Sequence, residues 1–156
     1  MEKKDLTFKR IGPEEAAAIR ELFFSVFTNA PWNDDWSDGT QLDLYLRDLT
    51  GQSNSLAYGL YEGEKLIGVS MGNIKHWYTG VEYCIDEFCI LTEKQSQGLG
   101  TFFLQEIEKE IGKLGITQMY LQTEATVPAY HFYRKNGFTE MEGHISFFKR
   151  ISCPKK

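Results

Sequence analysis

A pair of glycines lies at the mouth of a predicted helix, where residues 95–100 read QSQGLG. The run follows the strand-like residues 82–91 and precedes a helical apolar pattern that ends near Leu114. A helix start leaves about four backbone N–H groups without intrahelical partners and carries partial positive charge, so glycines there let an anion approach the backbone. The spacing therefore predicts an anion cradle, and a tight strand-to-helix turn is the plain structural alternative.

The two best-known nucleotide motifs do not fit this stretch. A Walker phosphate loop requires Gly-Lys-Ser or Gly-Lys-Thr, and neither tripeptide occurs in the chain. A dinucleotide fingerprint would need a third glycine at the position of Phe103. Both nucleotide interpretations therefore fail, and a tight turn that joins a strand to a helix stays an explanation for the two glycines.

Composition limits the kinds of protein to which the chain could belong. Its 156 residues are most simply one domain, and a chain of this size buries roughly 68–70% of its unfolded surface. The net charge is -5 and the basic residues are scattered, which argues against a nucleic-acid or membrane surface. An acidic protein suits a cationic substrate, although a solvated acidic surface is the simpler and more common explanation. The amino terminus lacks an apolar signal core and no apolar run approaches ~20 residues, so we expect a cytoplasmic protein.

The sulfur and imidazole side chains do not form metal-ligand motifs. Cys84, Cys89 and Cys153 form no CxxC pair, and their odd number argues against a disulfide framework. The three histidines, at positions 76, 131 and 144, lack the close spacing of a zinc site. We therefore expect reduced thiols and no metal.

The apolar periodicity predicts the elements that must hold the cradle. Leu6 and Phe8 mark a first strand, and two amphipathic helices follow, the second of them ending at Gly51. Residues 55–61 and 66–74 read as a hairpin through Gly63, and residues 82–91 as a further strand. After the helix that follows Gly98 come a strand at 116–123, a short helix at 128–136 and a closing hairpin around Gly143. This order predicts an α+β or α/β fold, a mixed sheet flanked by helices.

Two segments together resemble the GNAT family of N-acetyltransferases. The first is the acetyl-coenzyme A signature of Gln or Arg, two residues, Gly, one residue, then Gly or Ala, which here is Gln95, Ser96, Gln97, Gly98, Leu99 and Gly100. The second is PAYHFYRKNGF, similar to the family's motif around its fourth helix, with Ala129, Tyr133, Lys135, Gly137 and Phe138. One helix and one strand separate them, as in the family. The resemblance implies one GNAT-like domain over residues 1–156, with a central mixed, mostly antiparallel sheet flanked by about four helices.

The resemblance implies acetyl-CoA as co-substrate and assigns residues to it. The backbone amides of Gln97 to Thr101 would hold the pyrophosphate, and the strand Phe88, Cys89, Ile90 and Leu91 would splay from its neighbour and pair with the pantetheine arm. The resemblance also places Thr126, Ala129 and Phe132 among the cofactor-binding residues. Thr126 departs from the family's pattern, because many family members carry an asparagine there.

Acetyl transfer requires a neutral amine, a hydrogen-bond donor for the carbonyl oxygen and a proton donor for the departing thiolate. The family uses a tyrosine for the last role, and the matching residue is Tyr133; its structural alternative is a core aromatic beside Phe132 and Phe138. The resemblance also implies a backbone N–H near Ile90 as the donor to the oxyanion.

Two adjacent carboxylates are candidates for the proton acceptor. CIDEFCI resembles the Leu-Glu-Asp-Phe stretch of the polyamine and thialysine acetyltransferase branch, with Asp86 at the glutamate position and Glu87 at the aspartate position. Strand alternation sends the two side chains to opposite faces unless a bulge intervenes. We therefore expect one of them at the reaction centre, and we favour Asp86, acting through ordered water, with Glu87 as a solvated or salt-bridged residue.

The loop between the first two helices is the predicted acceptor side. It contains Trp32, Asp34, Asp35 and Trp36, which can hold an ammonium group by cation–π and ionic contacts, or simply form a turn whose tryptophans cover the core.

The chain has two functional interpretations. One is an acetyltransferase that acts on a small cationic amine, with a peptide or protein amine as the alternative acceptor. The other is a non-catalytic acyl-CoA binding module. A homodimer is compatible with both.

Overall fold

A computed structural model describes residues 5–154 of the chain. These residues fall into two compact units, of which the first ends at Gln122 and the second begins at Thr123. Among the described residues, no helix combines the length and apolar character needed to cross a bilayer.

The first unit contains five strands and three α-helices. The strands are β1 (Leu6–Ile11), β2 (Ser55–Glu62), β3 (Lys65–Trp77), β4 (Gly80–Ile90) and β5 (Gln118–Leu121). The helices are α1 (Ala16–Phe27), α2 (Gly39–Thr50) and α3 (Leu99–Lys113), with short 3₁₀ turns at Pro13–Glu15 and Thr92–Lys94. The predicted hairpin is confirmed as β2 and β3, with Gly63 at φ +59° in the turn between them.

The strands lie in the order β1-β2-β3-β4-β5. The first three pairs are antiparallel, while β4 and β5 are parallel and are connected through α3, as a parallel pair requires. The expectation of a mixed, mostly antiparallel sheet with helices is thus confirmed.

Helices α2 and α3 cover opposite faces of this sheet. Successive strand residues point to opposite faces, and on β4 Glu87 contacts Tyr45 of α2 whereas Phe88 stacks on Phe103 of α3. The buried stripe of α2 is Leu42, Leu46 and Leu49, and that of α3 is Leu99, Phe103, Leu104, Ile107 and Ile111. Burial of these stripes fixes β4 between two packed layers.

The second unit contains helix α4 (Pro128–Lys135), which begins with proline at its first turn. The helix ends where Gly137 adopts φ +88° and the Phe138 N–H donates to the Tyr133 carbonyl oxygen at 3.0 Å.

The closing hairpin predicted around Gly143 is wrong for the described residues 138–154, to which no strand is assigned. The apolar alternation in HISFFKR is interrupted by the adjacent Phe147 and Phe148, so the pattern supports a strand over only a few residues.

Candidate active site on strand β4

Strand β4 carries a β-bulge at the two adjacent carboxylates. In its ladder with β3, Ile85 lies opposite Gly72 and Glu87 lies opposite Met71, so Asp86 is the extra residue. Gly72 permits this register, because a Cβ there would collide with the carbonyl oxygen of Cys84. A bulge is the condition under which the strict alternation of side chains fails, and the bulge is present.

The bulge reverses the facing of the carboxyl-terminal half of β4. Tyr83, before the bulge, is buried and bonded to Ser70 Oγ at 2.8 Å, and its ring lies edge-on to that of Tyr58 in the layer that also contains Phe103. Simple alternation would place Glu87 in that same layer. The extra residue instead turns Glu87 towards α2 and puts Phe88 against Phe103.

Glu87 is held by a side chain of α2. The Tyr45 hydroxyl donates to Glu87 Oε1 at 2.7 Å, a short charge-assisted hydrogen bond. The ring of Tyr45 is in turn stacked on Trp36, with 5.3 Å between ring centroids and 15° between planes, and Phe23 meets both rings edge-on. The carboxylate is therefore oriented by a packed aromatic group.

The surroundings of Glu87 raise its pKa into the neutral range. Burial, which disfavours the charged form, raises the pKa of Glu87 to about 7; the Tyr45 hydrogen bond lowers it, and the negative charges of Asp34 and Asp86 raise it. A carboxylate with this pKa can both accept and release a proton near neutral pH.

Asp86 has a different environment on the same bulge. Asp86 is exposed, and its Oδ2 accepts a hydrogen bond from Asn73 Nδ2 at 3.3 Å. Partial burial raises the pKa of Asp86, whereas the nearby Lys75 and the Asn73 hydrogen bond lower it. Of the two carboxylates, Glu87 has the more enclosed and more firmly oriented position.

The predicted acceptor loop divides into two parts. Asp34 acts electrostatically on both Tyr45 and Glu87, and Trp36 stacks on Tyr45, so these two loop residues lie with the β4 carboxylates. Asp35 instead accepts the Ser37 N–H at 3.0 Å and shapes the turn. Trp32 packs on Phe27, with 5.5 Å between ring centroids, and covers the core.

The loop before α3 has the form expected of an anion cradle. Gly98 is the N-cap of α3 at φ +78°, with open space where a Cβ would stand, and no side chain caps this helix start. Ser96 also adopts a positive φ, of 62°. Amides of the first turn are thereby left for an external acceptor, which suits the phosphates of a nucleotide.

Two glutamine side chains brace the cradle. Gln95 Nε2 donates to the Ile90 carbonyl oxygen at 2.9 Å, which joins the loop to the end of β4. Gln97 Nε2 donates to the Glu93 carbonyl oxygen at 3.2 Å. Ser96, Gln97 and Gly98 are exposed, whereas Leu99 anchors the helix start in the core; Gly100 and Thr101 are partly buried.

Strand β4 continues past its ladder with β5. That ladder runs from Glu82 opposite Gln118 to Ile85 opposite Leu121, and β4 extends five residues further to Ile90. Cys89, Ile90 and Leu91 are buried, and burial raises the pKa of the Cys89 thiol, so this cysteine stays protonated. The described residues contain no group of three His, Cys, Asp or Glu side chains placed to hold a metal ion.

The remaining predicted site residues lie in the second unit, on helix α4 or just before it. Tyr133 is buried, and its ring meets Phe132 at 5.3 Å and Phe138 at 5.4 Å between centroids. Ala129 lies in the first turn of α4, and Thr126 precedes the helix.

Tyr45 belongs to the candidate site, although the sequence pattern did not indicate it. Its spacing with Leu42, Leu46 and Leu49 predicts a core position, and that prediction is compatible with its packing on Phe23. The available signal was chemical, since a largely enclosed phenol needs a hydrogen-bond partner and a carboxylate is a common one.

The comparisons with known proteins define the family. The sequence pattern of the acetyltransferase (GNAT) family matches residues 16–138, so the chain belongs to this family. A search of curated proteins gave no match.

Solved structures share the fold at low sequence identity. An aminoglycoside acetyltransferase from an uncultured soil metagenomic sample, in complex with sisomicin, is 19% identical, with a TM-score of 0.75 and coverage of 96% of this chain and 98% of that chain. The aminoglycoside N-acetyltransferase AAC(6')-Iy in complex with CoA is 14% identical (TM-score 0.71, coverage 94% and 95%). A ribosomal-protein-alanine N-acetyltransferase from Brucella melitensis biovar Abortus 2308 is 11% identical (TM-score 0.71, coverage 94% and 99%).

Proposed function

We propose that the protein is an acetyl-CoA-dependent N-acetyltransferase that acts on a primary amine of a small cationic metabolite or an aminoglycoside-like compound. The observation that carries this proposal is Glu87, a partly buried carboxylate with a pKa of about 7 that is oriented by Tyr45 beside Asp34 and Trp36. A non-catalytic acyl-CoA binder would have no use for a proton acceptor in this environment.

The cradle fits the co-substrate. Open space at Gly98, its positive φ and the helix start without a side-chain cap together suit the pyrophosphate of coenzyme A. Residues 86–90 of β4, beyond the last rung of its ladder with β5, would pair with the pantetheine arm, and the Ile90 N–H would serve the carbonyl oxygen. When bound, acetyl-CoA supplies a thioester whose carbonyl carbon takes the lone pair of the amine while the C–S bond breaks.

The side chains of the protein move the protons. Glu87 accepts a proton from the ammonium form of the acceptor, directly or through water, and thereby makes the nitrogen nucleophilic. Asp86 adds negative charge beside Glu87 and remains the alternative acceptor. Tyr133 is proposed to donate a proton or hydrogen bond to the departing thiolate, because a phenol hydroxyl can act as such a donor.

The acceptor class follows from charge. Asp34, Asp86 and Glu87 place three carboxyl groups around the aromatic pair Trp36 and Tyr45, and such a combination favours ammonium groups over neutral or anionic ones. Similarity in fold to two aminoglycoside acetyltransferases supports a polyamine-like or aminoglycoside-like compound.

We further propose that residues 1–156 act as one acetyltransferase domain in the cytoplasm. The family match continues through Gln122, where the two compact units divide, which supports a single functional domain. Cys84, Cys89 and Cys153 are free thiols, as is usual in a reducing compartment.

The direct test is thiol release from acetyl-CoA across a panel of acceptors. The panel contains polyamines, aminoglycosides, amino acids, and peptides with a free amino terminus or lysine. Turnover with cationic small molecules is expected. Turnover with peptides alone would move the proposal to a protein amine acetyltransferase, and CoA binding without turnover on any acceptor would leave an acyl-CoA binding module.

Binding of CoA to the cradle has a thermal signature. CoA at about 100 times its dissociation constant should raise the melting temperature of the parent by roughly 5–10 °C. Gly98→Leu should abolish most of this shift, because the new side chain stands where the phosphates approach. The matched control is Gly115→Leu, since Gly115 has the same φ of +78° and similar open space but lies at the opposite end of α3. A parent melt that does not move with CoA, or equal ligand shifts in both variants, would refute the cradle.

The two loop aspartates should differ in their effect on the acceptor. Asp34→Asn should raise KM for a cationic amine about 3–10-fold with little change in KM for acetyl-CoA, because Asp34 acts on the Tyr45–Glu87 pair. Asp35→Asn keeps the turn-forming oxygen and should change neither constant. Equal KM values for the two variants would indicate that the loop has only a structural role.

A further inference from the structure

Tyr45 links α2 to the carboxylate of Glu87 by a contact that the established family assignment does not explain. Its hydroxyl donates to Glu87 Oε1 at 2.7 Å across 42 positions of sequence. Among the described residues, Glu87 makes no other hydrogen bond than this one, so its Oε2 can accept a hydrogen bond from another partner. One oxygen is fixed and the other is available, which is the arrangement required of an oriented proton acceptor.

The phenol that makes this bond is itself held in place. Trp36 stacks on the ring of Tyr45 at 5.3 Å, and Phe23 lies edge-on to the Tyr45 ring at 6.0 Å between centroids. Helix α2 is anchored by buried leucines and by the Asp38 N-cap, which accepts the Gln41 N–H at 3.0 Å. The hydroxyl therefore has little freedom to leave the carboxylate.

The titratable groups near Glu87 come from three elements. Tyr45 faces it from α2, Asp34 acts from the loop between α1 and α2, and Asp86 and Cys89 act from β4 itself. The aspartates oppose ionisation of Glu87, and the Tyr45 hydrogen bond favours it. Removing the Tyr45 hydroxyl should therefore raise the pKa of Glu87, whereas removing the charge of Asp34 should lower it.

We propose that Tyr45 is a positioning residue for acetyl transfer, whose hydroxyl fixes one oxygen of Glu87 and leaves the other to take the proton of the acceptor ammonium. This inference rests on the proposed function. In the step itself an N–H bond of the ammonium breaks and an O–H bond to Glu87 Oε2 forms. The freed nitrogen lone pair then attacks the thioester carbon, and the C–S bond breaks to release the thiolate of CoA.

The test is the pH dependence of kcat/KM in the full chain. Tyr45→Phe keeps the ring between Trp36 and Phe23 but removes the hydroxyl, so the acidic limb of the profile should move up by about one to two pH units. Asp34→Asn should move the same limb down. Tyr58→Phe is the matched control, because Tyr58 is a buried tyrosine stacked on Phe8 in the other layer of the sheet, and its profile should equal that of the parent.

A second readout does not depend on turnover. The carboxyl carbon of Glu87, assigned by its disappearance in Glu87→Gln, should titrate at higher pH in Tyr45→Phe than in the parent when followed by ¹³C NMR. The double variant Tyr45→Phe/Glu87→Gln should be no slower than Glu87→Gln alone, since the hydroxyl acts through the carboxylate.

The outcomes separate this inference from the proposed function. An acidic limb that stays in place in Tyr45→Phe, while Glu87→Gln loses it, would refute the role of Tyr45 and leave the acetyltransferase intact. A Glu87→Gln variant that keeps the parental limb would overturn both Glu87 as acceptor and Tyr45 as its positioning residue. A shifted Glu87 titration in a protein that acetylates no amine would refute the proposed function, and with it the catalytic meaning of the contact.

Discussion

Tyr133→Phe should lower the rate of acetyl transfer about 10²–10⁴-fold, or roughly 2.7–5.4 kcal/mol of barrier, and leave the affinity for acetyl-CoA nearly unchanged. The substitution removes one hydroxyl and keeps the ring that packs between Phe132 and Phe138. A loss of rate without a loss of affinity is the mark of an interaction made only in the transition state.

Single-turnover kinetics give the cleanest measurement, because product release cannot then hide the chemical step. Tyr130→Phe on the same helix is the matched control: the Tyr130 hydroxyl donates to Glu140 Oε2 at 2.7 Å on an exposed surface, so its loss should leave turnover at the parental value. Parental single-turnover rates in Tyr133→Phe at every pH tested would defeat the assignment of Tyr133 as proton donor.

Local pattern was sufficient to predict most elements of the fold. The apolar stripes of α1, α2 and α3 follow helical spacing, Gly63 marks the β2–β3 turn, and Gly137 ends α4. These signals are local, because each depends on residues within a few positions of one another. The closing hairpin was overpredicted because turn and strand residues around Gly143 mimic such a signal without sustained alternation.

The geometry of the site depends on contacts distant in sequence. Gly72 of β3 allows the close approach of Cys84, and the resulting bulge at Asp86 decides which layer Glu87 enters. A glycine within a strand was a visible warning of such a bulge. Its register was not predictable, because only the pairing of β3 with β4 selects which β4 residue is extra.

The roles of the two carboxylates show the same limit. Sequence similarity favoured Asp86, by its place in the strand motif. The structure gives the oriented position to Glu87, because the hydroxyl that holds it comes from α2. Nothing near residue 87 in the sequence announces a partner at residue 45, and this pairing exists only once α2 has packed on the sheet.

Glu87→Gln should lower kcat/KM about 10²–10⁴-fold at neutral pH and remove the acidic limb of the parent's profile, which is expected near pH 7. If Glu87 is the proton acceptor, the activity of the parent should rise with pH through the Glu87 pKa of about 7, because only the ionised carboxylate can accept a proton. Glutamine cannot accept it at any pH. The defect should shrink towards about pH 9 to 10, where the free amine becomes abundant without help, whereas the Tyr133→Phe defect should persist.

The control for Glu87→Gln is a measurement of its thermal stability. The carboxamide oxygen that Glu87→Gln introduces can still accept the hydrogen bond of the Tyr45 hydroxyl. Because burial raises the pKa of Glu87 above its value in the unfolded chain, ionisation above pH 7 opposes folding, and glutamine removes that cost. The variant should therefore melt no lower than the parent at pH 8.

Asp86→Asn provides the comparison between the two carboxylates. It removes the exposed neighbouring charge, so the acidic limb should move to lower pH with a modest change in the plateau. If Asp86→Asn loses the limb and Glu87→Gln keeps it, the proton acceptor is Asp86 and the orientation of Glu87 by Tyr45 serves structure alone.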